Sequence, residues 1–163
     1  MHKARKWASI LVAVGTLALT GAACAPGGPG APVRAQSWGP DATTNSILAD
    51  TNNARAQVGL PGLVWNGQLA CLATAWSQWM ASTNNFFHRD LGSVINSPGY
   101  GGYHTLGENI LRGPASMSAW DMHVAWMNSP DHRANILSGA YSSMGVGLAY
   151  VNGTVYATEN FGG

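Results

Sequence analysis

The chain has 163 residues, of which 46% are hydrophobic and only 9% are charged, and its formal net charge is +1. This length is enough for one domain with its own hydrophobic core. The charge is uneven: three of the eight basic residues fall in the first six positions, whereas five arginines face seven acids beyond Cys24, a formal charge of −2. This composition contains no basic patch, so we expect no nucleic-acid binding.

The N-terminus has the organisation of a secretory signal peptide, which we place at residues 1–24. Basic residues in Met1–Lys6 precede an apolar stretch, Trp7–Ala23. Glycines interrupt this stretch, so it matches a cleaved leader better than a membrane span of roughly 20 solidly apolar residues. It ends in Gly-Ala-Ala-Cys, similar to a bacterial lipobox, which predicts lipidation at Cys24 and a protein that is secreted or attached to the cell envelope as a lipoprotein. Ordinary signal-peptidase cleavage near Val33–Ala35 is the alternative.

Cys24 and Cys71 are the only cysteines of the chain. Cys71 falls in an apolar pattern with Leu69 and Leu72, which predicts a buried thiol on a helix. A disulfide between the two cysteines would tie a Pro- and Gly-rich tail to a core helix, and we do not expect it.

Composition divides the remainder of the chain into a linker and a domain. Residues 25–42 are rich in Pro, Gly and Ala, which predicts a flexible linker. Residues 43–163 show no internal repeat and are predicted to form one globular domain.

Four helices are predicted, because apolar residues recur three and four positions apart along four segments. The segments are 43–58, with Thr44 or Asn45 as its cap; a helix that begins after the cap Asn66; 115–128; and the short segment 130–137, with Ser129 as its cap.

Two strands are predicted near the C-terminus, at Met144–Val151 and Thr154–Phe161. They flank Asn152-Gly153, and both of these residue types accept the positive φ that a two-residue hairpin requires. Residues 84–113 are rich in glycine and are predicted to form a loop, and an ordered loop of that length is usually functional. The predicted class is α+β, with helices packed around a small antiparallel sheet.

Four histidines lie beyond the signal peptide, and with Glu108 they are the candidates for a site. They are His88, His104, His123 and His132. His132 is the third residue of the predicted fourth helix, where the positive end of the helix dipole favours a neutral imidazole. A neutral imidazole can ligate a metal or act as a general base. The alternative role for His132 is a hydrogen bond to a backbone carbonyl. His123 is expected at the surface or in a groove, and His104 is not ranked.

His88 and Glu108 each need an explanation from their surroundings. The two phenylalanines that precede His88 are expected to bury that segment against the core and to leave His88 half-buried. Glu108 lies between a glycine and an isoleucine, and a carboxylate there is costly to bury without a partner. Its expected partner is either a bound cation or the guanidinium of Arg89 or Arg112.

Seven short segments then occur in an order that is typical of one family. They are Asn52-Asn53-Ala54-Arg55 with Gly59, Leu63-Val64-Trp65, Phe87-His88, Gly107-Glu108-Asn109-Ile110, the stretch WMNSPDHRANIL at residues 126–137, Gly145-Val146-Gly147, and Glu159-Asn160-Phe161-Gly162. Together they resemble the bacterial branch of the CAP superfamily, which is named for cysteine-rich secretory proteins, antigen 5 and pathogenesis-related 1 proteins. The resemblance covers nearly everything from about residue 46 to the end of the chain.

This resemblance implies a three-layer α-β-α sandwich with a small antiparallel sheet and a central cavity. In eukaryotic members, two histidines and two glutamates line the cavity and can bind a divalent metal such as zinc. On this chain the matching residues look like His88, Glu108 and His132. The second glutamate would fall at Ser129, so that acid is missing, and the implied metal site is more open than a closed structural zinc site.

The function that these features predict is a binding module, with His88 and His132 as metal ligands or as part of a cavity for an apolar ligand. The ligand class is a small molecule, a lipid or a cell-wall component, the membrane is contacted only through a lipid anchor, and the protein is expected to be a monomer. The alternative is a metal-dependent, peptidase-like hydrolase in which Glu108 is the general base for a bound water. Members of the family have been linked to both kinds of activity, and the shared fold does not choose between them.

Overall fold

The computed structural model describes residues 39–97, 100 and 102–163. Within these residues the chain forms α1 (Ala42–Gln57), β1 (Val64–Trp65), α2 (Gly67–Thr83), α3 (Leu91–Ile95), β2 (Leu106–Pro114), α4 (Ala119–Met127), α5 (Pro130–Ile136), β3 (Ser143–Val151) and β4 (Thr154–Gly162). The predicted signal peptide, the lipobox with Cys24 and most of the predicted linker lie outside the described residues.

The strands form one sheet in the order β1-β3-β4-β2. β3 and β4 form the predicted hairpin around Asn152, with φ of 47°, and Gly153, with φ of 74°. β2 pairs with the other side of β4 in the antiparallel direction, whereas β1 pairs with β3 in the parallel direction. The sheet is therefore mixed rather than antiparallel throughout, because the two-residue β1 is too short to be recognised from hydrophobic alternation.

Helices cover both faces of the sheet. α2 lies across β3 and β4 on one face, and α1, α4 and α5 pack on the other, which confirms the α-β-α sandwich. α2 approaches β3 very closely because two glycines of β3 have no side chain. A Cβ atom on Gly145 would meet the main chain of Ala70, and one on Gly147 would meet the main chain of Thr74.

The main hydrophobic core lies between the sheet and the three-helix layer. Its members come from α1, α4, α5 and the inward-facing positions of the strands, and the largest of them are Ile47, Met122, Trp126, Ile136, Met144 and Phe161. All six are fully or almost fully buried. Alternate residues of β4 supply this core, which is the pattern of a strand with a different layer on each face.

Two helices begin at residues other than those predicted, and in both cases a reciprocal capping box explains the difference. α1 is capped by Asp41 instead of Thr44, because the Asp41 carboxylate accepts from Thr44 N at 2.8 Å while the Thr44 hydroxyl accepts from Asp41 N at 2.9 Å. α4 begins at Ala119 rather than at residue 115, because Ser118 and Asp121 cap each other in the same way.

The prediction of one loop over residues 84–113 is wrong, because that segment contains α3 and most of β2. β2 reads LGENILRGP, and it has polar residues at positions that are buried on both faces. Such a strand shows no alternation of apolar and polar residues, so its sequence resembles a loop. Its position at the edge of the sheet is what brings the candidate site together.

Arg55 of α1 fixes the segment that follows α5. Its side chain is fully buried, and its guanidinium donates only to backbone carbonyls. The acceptors are Pro61 O at 2.9 Å, Ile136 O and Ser138 O at 2.8 Å, and Tyr141 O at 3.3 Å. Three of these carbonyls lie at or just beyond the end of α5, so Arg55 anchors the helix that carries His132.

Cys71 lies on α2 and is buried as predicted. It is disulfide-bonded rather than a thiol, which corrects that expectation. Nothing in the part of the chain that the structure describes is a helix long and apolar enough to cross a bilayer.

Candidate functional site

Three residues predicted from the sequence come together at the outer edge of β2. His88 lies in the connection after α2, Glu108 is the third residue of β2, and His132 is the third residue of α5. The imidazole rings of His88 and His132 have their centroids 6.1 Å apart, at an interplanar angle of 56°. The Nδ1 atom of His88 lies 3.0 Å from Oε1 of Glu108. The two sides of the sandwich therefore meet around the edge strand.

Glu108 is almost completely buried, with only 2% of its side chain exposed. Its Oε1 accepts a hydrogen bond from the backbone N–H of Arg89 at 2.9 Å, in addition to its contact with His88. Burial raises the pKa of Glu108, while these two hydrogen bonds oppose the rise. Its other oxygen, Oε2, has no hydrogen-bond partner among the described residues.

Neither predicted guanidinium is bonded to the Glu108 carboxylate. The guanidinium of Arg89 lies over the ring of Trp76, 4.7 Å from its centroid. The guanidinium of Arg112 donates to the side chain of Asn84 at 3.0 Å. The sequence correctly indicated that Glu108 needs a partner, but the hydrogen-bond partners are an imidazole and a main-chain N–H group.

His88 is more exposed than predicted, with 56% of its side chain accessible to solvent. The two residues before it, Phe86 and Phe87, are 45% and 49% exposed, so they do not bury the segment in the core. Phe87 packs instead with its ring edge-on to Trp76 and Trp79, which stack on each other with centroids 4.7 Å apart on the outer face of α2. The result is an aromatic surface next to His88.

The contact with Glu108 decides which nitrogen of His88 faces a ligand. A carboxylate accepts the proton of Nδ1–H, which leaves Nε2 as the nitrogen with an available lone pair. Metal-binding histidines commonly use this arrangement, in which the carboxylate orients the ring and raises its basicity. Glu108 is therefore placed as the orienting group of His88.

His132 is half-buried and its pKa is lowered, first by burial and then by the nearby His88, with Asp131 opposing. The lowered pKa of His132 agrees with the predicted preference for a neutral imidazole, and burial is its largest cause. Ser129 occupies the predicted N-cap position, yet its side chain makes no capping hydrogen bond. A neutral ring that lies close to His88 can offer a nitrogen to a cation.

The other two histidines stay away from this site. His104 is exposed just before β2, and its backbone N–H donates to Gly163 O at 2.7 Å. His123 is buried on α4, so the prediction of a surface or groove position is wrong. Burial lowers the pKa of His123, with Asp50 opposing, and its Nδ1 has no hydrogen-bond partner among the described residues.

Three residues beside the site were not predicted to belong to it: Asn109, Asn135 and Glu159. Asn109 and Glu159 are fully buried, and all three are connected by side-chain hydrogen bonds that reach the backbone of His132. The available signal was a Glu-Asn pair that occurs in both β2 and β4, at Glu108-Asn109 and Glu159-Asn160. Two adjacent polar residues on a buried strand must each find partners on opposite faces.

The donor set is compatible only with an open metal site. Across residues 39–97, 100 and 102–163, no group of three or more His, Cys, Asp or Glu side chains is arranged to hold a metal ion. Two imidazoles can act as ligands, Glu108 already orients one of them, and Ser129 provides no second carboxylate. These residues fit a cation whose remaining ligands come from outside the protein.

Two pockets lined by described residues lie elsewhere. One, of about 320 Å³, is lined by the start of α1 and by residues of β3, including Asp41 and Tyr150. The other, of about 570 Å³, lies between α4 and α5, with Arg133 and Leu137 in its wall. Neither of these two pockets is lined by His88, Glu108 or His132, so the site is identified here by the chemistry of its side chains.

Comparison with known proteins shows which family has this sequence and fold. The family model described as "Cysteine-rich secretory protein family", CAP, matches residues 48–161. Uncharacterized protein YkwD of Bacillus subtilis (strain 168) is 36% identical over 126 residues, which is 71% of this chain and 45% of that protein. The chain thus spans less than half the length of this curated relative.

Two solved structures extend the comparison. An extracellular protein containing an SCP domain from Bacillus anthracis str. Ames is 29% identical, with a TM-score of 0.61 over 73% of this chain and 39% of that one. A cysteine-rich secretory protein from Staphylococcus aureus subsp. aureus Mu50 is 27% identical, with a TM-score of 0.57 over 74% of this chain and 38% of that one.

Proposed function

Because the chain belongs to the cysteine-rich secretory protein (CAP) family, we propose that it is an exported binding protein whose ligand site is the pair His88 and His132. The observation that carries the proposal is the convergence of these two imidazoles, 6.1 Å apart, from opposite sides of the sheet. Glu108 orients the first ring, and burial keeps the second one neutral.

A divalent cation such as zinc is the first ligand that this pair would take. His88 Nε2 and one ring nitrogen of His132 would hold it, and the bound cation would supply a positive centre for oxygen atoms of a further ligand. Two protein ligands make a weaker site than the four of a structural zinc site. The proposed site is therefore one that a metal and a second ligand occupy together.

The second ligand is proposed to be a small molecule, a lipid or a cell-wall component with an apolar part. The support for this is the aromatic surface next to His88, formed by Trp76, Trp79, Phe86 and Phe87, in which both phenylalanines are about half exposed. Partly exposed aromatic rings bind apolar groups at low entropic cost, and they can be tested independently of the metal.

Zinc binding is tested by isothermal titration of the purified protein, without a histidine tag, against zinc chloride. His88→Ala and His132→Ala are each expected to reduce the affinity at least tenfold, and together to abolish it. His104→Ala is the matched control, because His104 is an exposed histidine outside the site. The metal site would be refuted if the double variant bound zinc as tightly as wild type does. It would also be refuted if wild type and His104→Ala both bound zinc only weakly.

Export is supported by the N-terminal signal-like segment and by the extracellular relative from Bacillus anthracis. Cys24 is the only other cysteine of the chain, so a disulfide within the molecule at Cys71 and lipidation of Cys24 would use the same thiol, and the disulfide-bonded state of Cys71 opposes lipidation. The intact mass of the exported protein separates them: lipidation adds a diacylglycerol and removes the residues before Cys24. Loss of membrane association in Cys24→Ser would support the lipoprotein, and unchanged membrane association would oppose it.

A metal-dependent hydrolase is the second candidate, and one observation favours it. Glu108 has a raised pKa and one carboxylate oxygen without a partner, as a general base requires. Its burial opposes that role, because only 2% of the side chain is exposed. The hydrolase would be established if wild type cleaved a peptide library in a zinc-dependent way and Glu108→Gln lost this cleavage while it still bound zinc. If the zinc-loaded wild type cleaves none of the peptides, a hydrolase activity on those substrates is excluded.

A further inference from the structure

Asn109 is the centre of a buried hydrogen-bond network on the three-helix side of the sheet. Its Nδ2 atom donates to His132 O at 3.0 Å and to Oε2 of Glu159 at 3.0 Å. Its Oδ1 atom accepts from Nδ2 of Asn135 at 2.9 Å. Asn135 also donates to Glu108 O at 3.2 Å, so the network contacts the main chain of two residues of the site.

The geometry leaves the Asn109 amide one orientation. Its Nδ2 has two hydrogens, and each has its own acceptor, while its oxygen faces a donor. A rotation of the amide by 180° would place its oxygen against His132 O and its nitrogen against Nδ2 of Asn135, so at least these two hydrogen bonds would be lost. His132 O and Oε2 of Glu159 are thus the two acceptors that together orient the amide, and Glu159 is the one supplied by a side chain.

Glu159 can serve as such an acceptor without bringing a negative charge into the core. It is fully buried, and no basic side chain forms an ion pair with it among the described residues. Burial favours its neutral form and raises its pKa to about 8, with smaller opposing effects from Asn109 and Thr51. A neutral carboxyl with its proton on Oε1 would still accept from Asn109 through Oε2. Oε1 and the Thr51 hydroxyl both otherwise lack a well-formed hydrogen bond.

We propose that Glu159 is a positioning residue of the His88 and His132 site: it fixes the Asn109 amide, which holds the main chain at His132 and so sets where that imidazole lies relative to His88. The proposal rests on the proposed function only in taking His132 as a ligand of that site. Glu159 itself does not touch the ligand. It acts through Asn109, from the opposite end of the hydrogen-bond chain.

The test compares Glu159→Met with Glu159→Gln. Gln keeps an acceptor for Asn109 and adds a donor toward Thr51, so it mimics the protonated carboxyl, whereas Met fills the space without an acceptor. We expect zinc chloride to bind Glu159→Gln within twofold of wild type and Glu159→Met about tenfold more weakly, the size of effect typical for outer-shell partners. In the metal-free proteins, the NMR shifts of the His132 imidazole should differ from those of wild type in Glu159→Met and match those of wild type in Glu159→Gln. The NMR shifts of His104 should stay unchanged in both variants.

The two readouts separate this proposal from the metal site itself. If wild type binds no zinc, the metal function fails, and the metal-free His132 shifts alone decide the role of Glu159. A folded Glu159→Met with wild-type zinc affinity and wild-type His132 shifts would overturn the proposal, as would a Glu159→Gln variant as impaired as Glu159→Met. If Glu159→Met does not fold, Asn135→Ala removes a half-buried donor of the same network; unchanged His132 shifts in that variant would overturn the proposal too.

Discussion

Glu108 of β2 and Asn160 of β4 lie directly opposite each other in the antiparallel register, and no hydrogen bond joins their side chains. Oε2 of Glu108 and both amide atoms of Asn160 are buried without a hydrogen-bond partner among the described residues. The next pair along the same two strands, Asn109 and Glu159, faces the opposite side and is bonded at 3.0 Å. Two chemically identical pairs thus have different outcomes because of the layer each one faces.

The unsatisfied amide of Asn160 should cost stability. Asn160→Val removes two buried polar atoms and introduces a good strand former, so we expect the free energy of unfolding to rise by about 1 kcal/mol. Urea denaturation of wild type and Asn160→Val measures this difference in the free energy of unfolding. A loss of more than 1 kcal/mol would mean that the amide is hydrogen-bonded, for instance to internal water, and that the unsatisfied reading of Asn160 is wrong.

Buried Glu159 should make stability depend on pH. Its pKa is raised from 4.5 to about 8, so the folded protein keeps a proton that the unfolded chain releases. Stability should therefore fall as pH rises from about 4.5 to about 8, by at most about 1.4 kcal/mol per pH unit from this group. The measurement is the difference in unfolding free energy between wild type and Glu159→Gln at several pH values. An equal pH dependence in both proteins would show that Glu159 is ionised in the fold.

His88 should influence how readily His132 takes up a proton. Burial and the neighbouring His88 both lower the pKa of His132, with Asp131 opposing. His88→Ala removes the second of these causes, so the pKa of His132 should rise but stay below 6.5 because burial remains. NMR titration of the His132 ring follows this directly. A fall or no change would mean that the two rings do not interact in solution.

The buried guanidinium of Arg55 should be one of the most sensitive positions of the domain. Arg55→Met fills much of the same space but leaves four backbone carbonyls without their donor. Each buried unsatisfied acceptor costs about 1–3 kcal/mol, so a loss above about 3 kcal/mol or failure to fold is expected. Arg133→Met, at an exposed arginine, is the control and should change stability by less than about 0.5 kcal/mol.

Close packing of α2 on β3 gives a fifth prediction. A methyl group at Gly147 would meet the main chain of Thr74, which cannot move aside as a flexible side chain could. Gly147→Ala should therefore destabilise the protein by about 3 kcal/mol or more, at the upper end of overpacking effects. Gly102→Ala is the control, since its Cβ would meet no atom within 4 Å. The measurement is the melting temperature of each variant. Equal melting temperatures for Gly147→Ala and Gly102→Ala would contradict the close packing of α2 on β3.

The sequence predicted those elements whose signals are local. The cap at Asn66, the hairpin at Asn152-Gly153 and the short helix after Ser129 depend on residues within a few positions of each other. The three site residues His88, Glu108 and His132 were reached through their order in family motifs, since their spacing along the chain says nothing about their distance in space.

What could not be predicted depends on contacts between distant segments. β2 looks like a loop because the layers on both its faces contribute polar partners, and these are known only when the fold is known. His123 shares a face of α4 with the buried Met122 and Trp126, but a histidine is polar, so its burial becomes evident only from the packing of α4 against α1. The role of Asn109 is a property of the network and cannot be assigned from its own position.

The position of β2 at the end of the sheet also limits what other molecules can do. An edge strand offers unpaired backbone groups to a strand of another chain, which is a common route to aggregation. Here the side chain of Asn135 occupies the carbonyl of Glu108, and the imidazoles of His88 and His132 lie across the same edge. Asn135 and these imidazoles thus cover part of the β2 edge at Glu108, so we expect a variant that loosens them to self-associate more readily through β2.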